Sequence, residues 1–152
     1  MNFRKILTLL CAGIIIVAGG CSTIQPENNY TGMTKQQIFN ELSKNGAVYI
    51  GYNVCRNKMF SNGGKRFDSW NDLEKDELYP RLRQWRINMQ AKRIFGKHCI
   101  REMVLTFQNG KVAKQEIEEW TYPPRAEYCA KIEEFTSSQG NIRPLLETEP
   151  MP

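Results

Sequence analysis

Two strand-like runs joined by Asn109-Gly110 constrain the fold more than any other part of this sequence. Before the dipeptide, Met103, Leu105 and Phe107 alternate with polar or mixed residues, as in a strand with one buried face. Asn and Gly both tolerate the positive φ that a two-residue type I′ turn requires, so this dipeptide between strand-like runs indicates a hairpin. We therefore predict an antiparallel hairpin over residues 99 to 120.

A capped helix and a strand are predicted on the N-terminal side of this hairpin. Thr34 can cap a helix while Gln37 reaches back to the Thr34 amide, which is the capping-box pattern. Asn45-Gly46 gives a suitable end to that helix. Residues 47 to 54 then alternate in the manner of a strand.

The region between this strand and the hairpin is less regular. Residues 56 to 66 are basic and contain glycines, and we interpret them as a loop. Ser69 can cap a short helix carrying Trp70, Leu73 and Leu78, which we expect to end at Pro80. Residues 85 to 91 alternate again and predict another strand, with Gly96 marking the turn into the hairpin.

The C-terminal part predicts one helix and a mobile tail. Pro123-Pro124 stops the last strand, and apolar residues recur at helical spacing at Tyr128, Cys129, Ile132 and Phe135. Residues 137 to 152 offer little to bury. The expected fold is therefore α+β: a single domain over 31–136, with an antiparallel meander of three to four strands and helices packed on one face.

The first residues have the organisation of a bacterial lipoprotein signal. A short basic segment precedes an apolar run over 6–18 that is too short to cross a bilayer, followed by Gly-Gly-Cys21. The segment resembles a lipobox, in which the cysteine after the cut receives lipid, although alanine stands where leucine is usual. We predict a signal peptide over 1–20, lipid on Cys21 and a flexible tether over 21–30. Ordinary secretion and an uncleaved anchor are the alternatives.

The charge of the mature chain argues against a nucleic-acid binder. Arg4 and Lys5 lie in the predicted signal, which lowers the net charge from +5 to +3. Acidic and basic residues are interspersed along the rest of the chain, whereas nucleic-acid binders concentrate their basic residues in a stripe. Since Ser22 rather than aspartate follows Cys21, we expect an outer-membrane protein whose domain faces the periplasm, with exposure at the cell surface as the alternative.

Three cysteines remain once the signal is removed and Cys21 is acylated. Export to an oxidising compartment predicts one disulfide among Cys55, Cys99 and Cys129. Strand parity places Cys99 on the side of Met103, and Cys129 lies on the predicted core-facing stripe of the last helix. We favour a bond between Cys99 and Cys129, and pairings with Cys55 stay open.

Two short motifs resemble a known family. Gly32-Met33-Thr34 with Gln37 at the helix start, and Phe107-Gln-Asn109-Gly110 at the turn, are similar to the small outer-membrane lipoproteins of the SmpA/OmlA, or BamE-like, type. The resemblance covers about residues 30 to 118. It implies helices on one face of a three-stranded antiparallel sheet and a nonenzymatic accessory role in outer-membrane protein assembly. The same fold also occurs in secreted β-lactamase inhibitors, so fold does not determine function.

Catalytic and metal sites receive little support from the residues. His98 is the single histidine, and it precedes Cys99 directly, so on a strand their side chains point to opposite faces. The three cysteines and His98 lack the short paired spacing of structural zinc sites. We expect no enzyme activity, no metal and no small-molecule cofactor.

Two functional interpretations follow. The first is a lipid-anchored envelope protein that acts on a membrane-protein partner through an exposed sheet face or through residues 30–33. The second is an inhibitory, immunity-type lipoprotein that blocks a toxin or a lytic enzyme, with the loop over 56–66 entering the target.

Overall fold

A five-stranded antiparallel sheet forms the centre of the computed structural model, which describes residues 28–57 and 59–151. The signal peptide, Cys21 and most of the tether lie outside the described residues. The strands are β1 (Val48–Arg56), β2 (Met59–Phe67), β3 (Gln84–Ile94), β4 (Lys97–Gln108), β5 (Lys111–Tyr122), and the short pair β6 (Phe135–Thr136) and β7 (Ile142–Arg143). The helices are α1 (Lys35–Leu42), α2 (Trp70–Glu74) and α3 (Ala126–Cys129). The α+β class is confirmed, and the main sheet has five strands, in the order β2-β1-β3-β4-β5, instead of three to four.

The predicted central hairpin is confirmed as β4 and β5. Asn109 and Gly110 have φ values of 53° and 77°, as a type I′ turn requires. The register pairs His98 with Tyr122 at one end and Gln108 with Lys111 at the other, with an irregularity after Thr106.

The helices α1 and α2 cover one face of the sheet. Thr34 and Gln37 form the predicted capping box: the Gln37 amide donates to the Thr34 hydroxyl at 3.3 Å, and the Thr34 amide donates to the Gln37 side chain at 2.9 Å. Beneath the helices lies the main core, where the Trp85 and Phe107 rings meet edge to face with centroids 5.2 Å apart. The fully buried Ile38 brings α1 into this core.

The predicted loop over 56–66 is wrong, because most of it forms strand β2. Two glycines there suggest a loop, but Gly63 pairs with Tyr52 and Gly64 pairs with Gly51 across β1. A Cβ atom built on Gly63 would lie 2.3 Å from the Tyr52 ring, and one on Gly64 would lie 1.8 Å from the Tyr49 hydroxyl. The strand therefore uses glycine where tyrosine rings from β1 lie across it.

The short helix capped by Ser69 is confirmed, but it ends earlier than predicted. The Ser69 hydroxyl accepts from the Asp72 amide at 3.2 Å. The helix stops at Glu74, and the Asp76 carboxylate then accepts from the Leu78 and Tyr79 amides. Those bonds begin a separate 3₁₀ turn over Tyr79–Arg81 that contains Pro80.

The last predicted helix is only one turn long, and α3 lies on the face opposite α1. Its Tyr128 hydroxyl bonds Arg86, whose side chain alternates along β3 with that of Trp85 in the main core. Phe135, predicted on the same helical stripe, belongs instead to β6. The chain leaves the helix after Cys129, so α3 covers only a small part of the sheet.

The expectation that residues 137–152 have little to bury is also wrong. Leu145 and Leu146 are buried, and the Arg83 amide donates to the Leu145 carbonyl at 3.0 Å. Glu147 accepts from Lys35 of α1 at 2.7 Å, and its other carboxylate oxygen accepts from the Gly110 amide. The C-terminal segment thus connects α1, the approach to β3 and the β4–β5 turn.

Candidate functional site

A fully exposed aromatic side chain occupies the turn between β3 and β4. Phe95 is 99% exposed, and Phe95 and Gly96 have φ values of 47° and 78°. A bulky residue at positive φ is uncommon, because its Cβ crowds the backbone. Neither packing nor turn preference accounts for phenylalanine at this position, so the side chain is a candidate contact residue. The sequence predicts the turn at Gly96 but gives no sign that the aromatic beside it is exposed.

Basic residues surround this turn. Lys92, Arg93, Lys97 and His98 are all exposed, and the register pairs Arg93 with His98 across the two strands. Residues 90 to 98 contain no acidic residue. We call Lys92 to His98 the basic tip. Its combination of one exposed ring and several cations suits a partner surface with an apolar pocket and carboxylates around it.

A groove runs from the basic tip to α3. It has a volume of about 750 Å³, and Trp120 and Tyr128 form buried parts of its wall. Three exposed cations also line it: Lys97 from β4, and Arg125 and Lys131 at the two ends of α3. A concave site of this size with aromatic walls falls in the range of small-molecule sites.

A second cluster of polar groups is buried between the sheet and α3. The Arg86 Nη1 atom donates to Glu118 at 2.8 Å, to the Tyr128 hydroxyl at 3.2 Å and to Glu102 at 3.3 Å. Glu102 also accepts from the Trp120 indole at 3.1 Å and from the Asn53 amide at 3.3 Å. We call these six residues the Arg86 cluster. The Glu118 side chain is only 17% exposed.

The electrostatics of this region follow from burial. Desolvation acts to lower the pKa of Arg86, but Tyr128, Glu118 and Glu102 outweigh it and raise that pKa above its ordinary value. For the acidic groups burial acts in the opposite direction: it raises the pKa of Tyr128 and the pKa of the nearby Glu133. Arg86 is therefore held as a cation between two carboxylates.

The space beside the Arg86 guanidinium is too small for a substrate. The cavity beside Arg86, Asn53 and Glu133 has a volume of about 10 Å³, which is about the space of one water molecule. The hydrogen bonds of the Arg86 cluster join β1, β3, β4, β5 and α3. We conclude that the cluster is structural. Its sequence signal was Glu102, an acid directly before the apolar residues Met103, Val104 and Leu105 of β4.

A disulfide joins Cys55 and Cys129, with Cα atoms 5.4 Å apart, so the preference for Cys99 with Cys129 is wrong. The end of the β1–β2 hairpin lies against α3 and β5, where the Phe60 ring is 4.9 Å from that of Trp120. Strand parity alone does not reveal this contact. β1 pairs with β3 only at Gly51, so the alternation of side chains along β1 does not show how close Cys55 lies to α3.

The motif residues that resemble the lipoprotein family meet at the base of the β4–β5 turn. The Gly32 amide donates to the Val112 carbonyl at 2.8 Å, and the Val112 amide donates to the Met33 carbonyl at 2.9 Å. Thr34 forms an isolated bridge with Lys111 beside the Asn109-Gly110 turn, and Phe107 is buried in the core. These residues hold the N-terminal segment to the sheet, which is a structural role.

The remaining candidates are not assembled into a reactive site. His98 is exposed, whereas Cys99 is buried in the wall of the groove. Within residues 28–57 and 59–151, no group of three His, Cys, Asp or Glu side chains is placed to hold a metal ion. In the same part of the chain, no helix has the length and hydrophobicity to span a membrane.

No protein-family model matches the chain, and neither the curated proteins nor the solved structures contain a significant match. The resemblance to SmpA/OmlA lipoproteins therefore stays an expectation. The basic tip and its groove are the surface features that the fold itself does not explain.

Proposed function

We propose that this chain is a noncatalytic interaction protein of a bacterial envelope, held at the outer membrane by lipid on Cys21 and facing the periplasm. In this proposal the basic tip contacts a protein partner. The observation that carries the proposal is the complete exposure of Phe95 between flanking cations.

The energetics favour the tip as a contact site. Transferring an exposed phenylalanine side chain into an apolar pocket contributes about 1.5–3 kcal/mol. Lys92, Arg93 and Lys97 would accelerate association with an acidic surface and select against a basic one. The two-residue turn fixes the Phe95 backbone at the end of the β3–β4 hairpin, so little backbone freedom is lost on binding.

The position of the N-terminus supports a partner away from the anchoring membrane. The Gln115 side chain donates to the Asn28 carbonyl at 3.1 Å, near the start of β5. Tyr122, next to the basic tip in the register, lies seven residues further along, or roughly 23 Å at the rise of a strand. Asn28, the first described residue, and the basic tip thus lie toward opposite ends of β5.

Two partner classes fit this surface. An accessory role in outer-membrane protein assembly follows from the family resemblance. An inhibitory role is favoured by a specific observation, since one protruding ring on a narrow turn suits the cleft of a toxin or a lytic enzyme. In this second case the inserting element is the basic tip, because residues 59–67 form a strand instead of a loop.

Site-specific photocrosslinking in the native host tests the proposal. A photoreactive phenylalanine analogue is placed at position 95 and, as the matched control, at position 59, because Met59 is 69% exposed near the turn of the β1–β2 hairpin. We expect one protein adduct from position 95 that position 59 does not give. The purified adduct protein should bind the wild-type domain at least about tenfold more tightly than the Phe95→Ala variant, a difference of ~1.4 kcal/mol.

The adduct also separates the two partner classes. A component of outer-membrane assembly supports the accessory role, and a hydrolase or toxin supports the inhibitory one. Equal adducts from both positions, or equal affinity of the Phe95→Ala variant, would show that the basic tip is not the contact surface.

A further inference from the structure

We infer that the groove between the basic tip and α3 is a binding site for a monomeric anionic amphiphile, meaning a single acyl chain that ends in a carboxylate. The groove volume of about 750 Å³ lies within the range of small-molecule sites, about 300–1,000 Å³. The groove shares Phe95 and Lys97 with the partner contact proposed above, whereas its Arg125 and Lys131 lie outside the basic tip.

The wall of the groove suits an acyl chain. Ile94, Trp120 and Tyr128 line it, and Trp120 and Tyr128 stack with ring centroids 5.3 Å apart. Phe95 also contributes to the wall, and its fully exposed ring has apolar surface that an acyl chain would remove from water. The stacked rings give a preformed apolar surface, which lowers the entropic cost of binding.

The charges at the groove favour an anionic end group. Lys97, Arg125 and Lys131 supply three cations, against the two acids Glu119 and Glu127. Glu119 already faces Arg101, with Oε1 and Nε 3.5 Å apart, so its charge is partly balanced by a residue outside the groove lining. An anion therefore meets an excess of positive charge, and a cationic amphiphile meets repulsion.

Binding of laurate below its aggregation concentration tests this inference. The readouts are calorimetry and the tryptophan fluorescence of the folded domain, since Trp120 lies in the groove wall. We expect saturable one-to-one binding of laurate, at least about tenfold tighter than binding of dodecyltrimethylammonium, the cationic counterpart with the same chain length.

Charge reversal gives the matched variants. Arg125→Glu and Lys131→Glu alter exposed groove residues, and Lys44→Glu alters an exposed cation on the 3₁₀ turn after α1. Circular dichroism and thermal unfolding verify that each variant is folded. We expect the double variant at positions 125 and 131 to bind laurate at least about tenfold more weakly and the Lys44→Glu variant to bind it normally.

Three results would overturn the inference: equal affinity for the two amphiphiles, no loss in the groove variant, or adsorption to phosphatidylglycerol vesicles without binding of monomeric laurate. The last result would indicate a surface that recognises a bilayer instead of a single chain. Since Arg125 and Lys131 lie outside the basic tip, failure here leaves the photocrosslinking test of the protein partner unaffected.

Discussion

Arg86 shows at the scale of single residues how this fold holds a charge inside. Its side chain is 2% exposed, and its Nη1 atom reaches Glu102, Glu118 and Tyr128. Removing the cation would leave two carboxylates in a region with little water. Buried ion pairs contribute little net stability over an apolar replacement of the whole group, but the loss of one partner is costly.

The Arg86→Met variant should therefore be strongly destabilised. We expect a loss of about 3–5 kcal/mol in the free energy of unfolding, measured by urea denaturation at neutral pH. Lys44→Ala is the control, since it breaks the exposed ion pair with Glu41 and should cost less than about 1 kcal/mol. A loss below that of the control would refute the role given to Arg86.

The buried position of the Glu133 carboxyl predicts that the stability of the fold depends on pH. Its Oε2 atom is buried without a hydrogen-bond partner among the described residues, and burial raises its pKa in the folded state. The folded state then binds the Glu133 proton more tightly than the unfolded state does. The protonated carboxyl therefore stabilises the fold below the unfolded pKa, and this stabilisation is lost as the pH rises through the folded pKa.

The Glu133→Gln variant removes this titration. We expect it to be more stable than the wild type at pH 7.5, with the difference shrinking toward pH 4. Thermal unfolding at several pH values measures it. A difference that stays constant with pH would mean that the Glu133 carboxyl does not titrate abnormally.

At the scale of elements, strand β2 depends on rings from its neighbour. Tyr52 is half-buried and packs against Tyr79 with centroids 6.1 Å apart, whereas Tyr49 is 51% exposed. A methyl group at Gly63 meets the more confined Tyr52 ring, and one at Gly64 meets the Tyr49 ring, which can swing toward solvent.

The two glycines should therefore respond differently to the same substitution. We expect Gly63→Ala to cost about 1–3 kcal/mol, the range for overpacking, and Gly64→Ala to cost clearly less. Urea denaturation of both variants provides the comparison. The reverse order would show that the confinement of Tyr52 does not govern the stability of β2.

The elements that were predictable are those set by local chemistry. The capping box at Thr34 and the Asn109-Gly110 turn depend on residues a few positions apart, so their patterns are visible in the sequence. Strand β2 forms a local hairpin with β1 and was missed because its two glycines suggest a loop. The burial of Leu146 and the Cys55–Cys129 bond depend on residues distant in sequence, which periodicity does not report. The candidate site was missed for the same reason, since the groove exists only where α3 approaches the basic tip.

At the scale of the whole molecule, the start of the described chain and the proposed contact surface lie at opposite ends of β5. The N-terminal segment follows the start of β5, through the bonds of Gly32 and Met33 to Val112. The basic tip projects beyond the other end of that strand, near Tyr122. This arrangement implies an orientation of the molecule relative to a membrane only if the chain is attached through Cys21.

Intact mass spectrometry of the protein extracted from the envelope of its native host tests this central claim most directly. The account predicts a mature chain that begins at Cys21 and carries several acyl chains, whose combined buried methylenes at about 0.8 kcal/mol each give a stable anchor. A chain that retains its first twenty residues, or a Cys21 without fatty acids, would contradict the account.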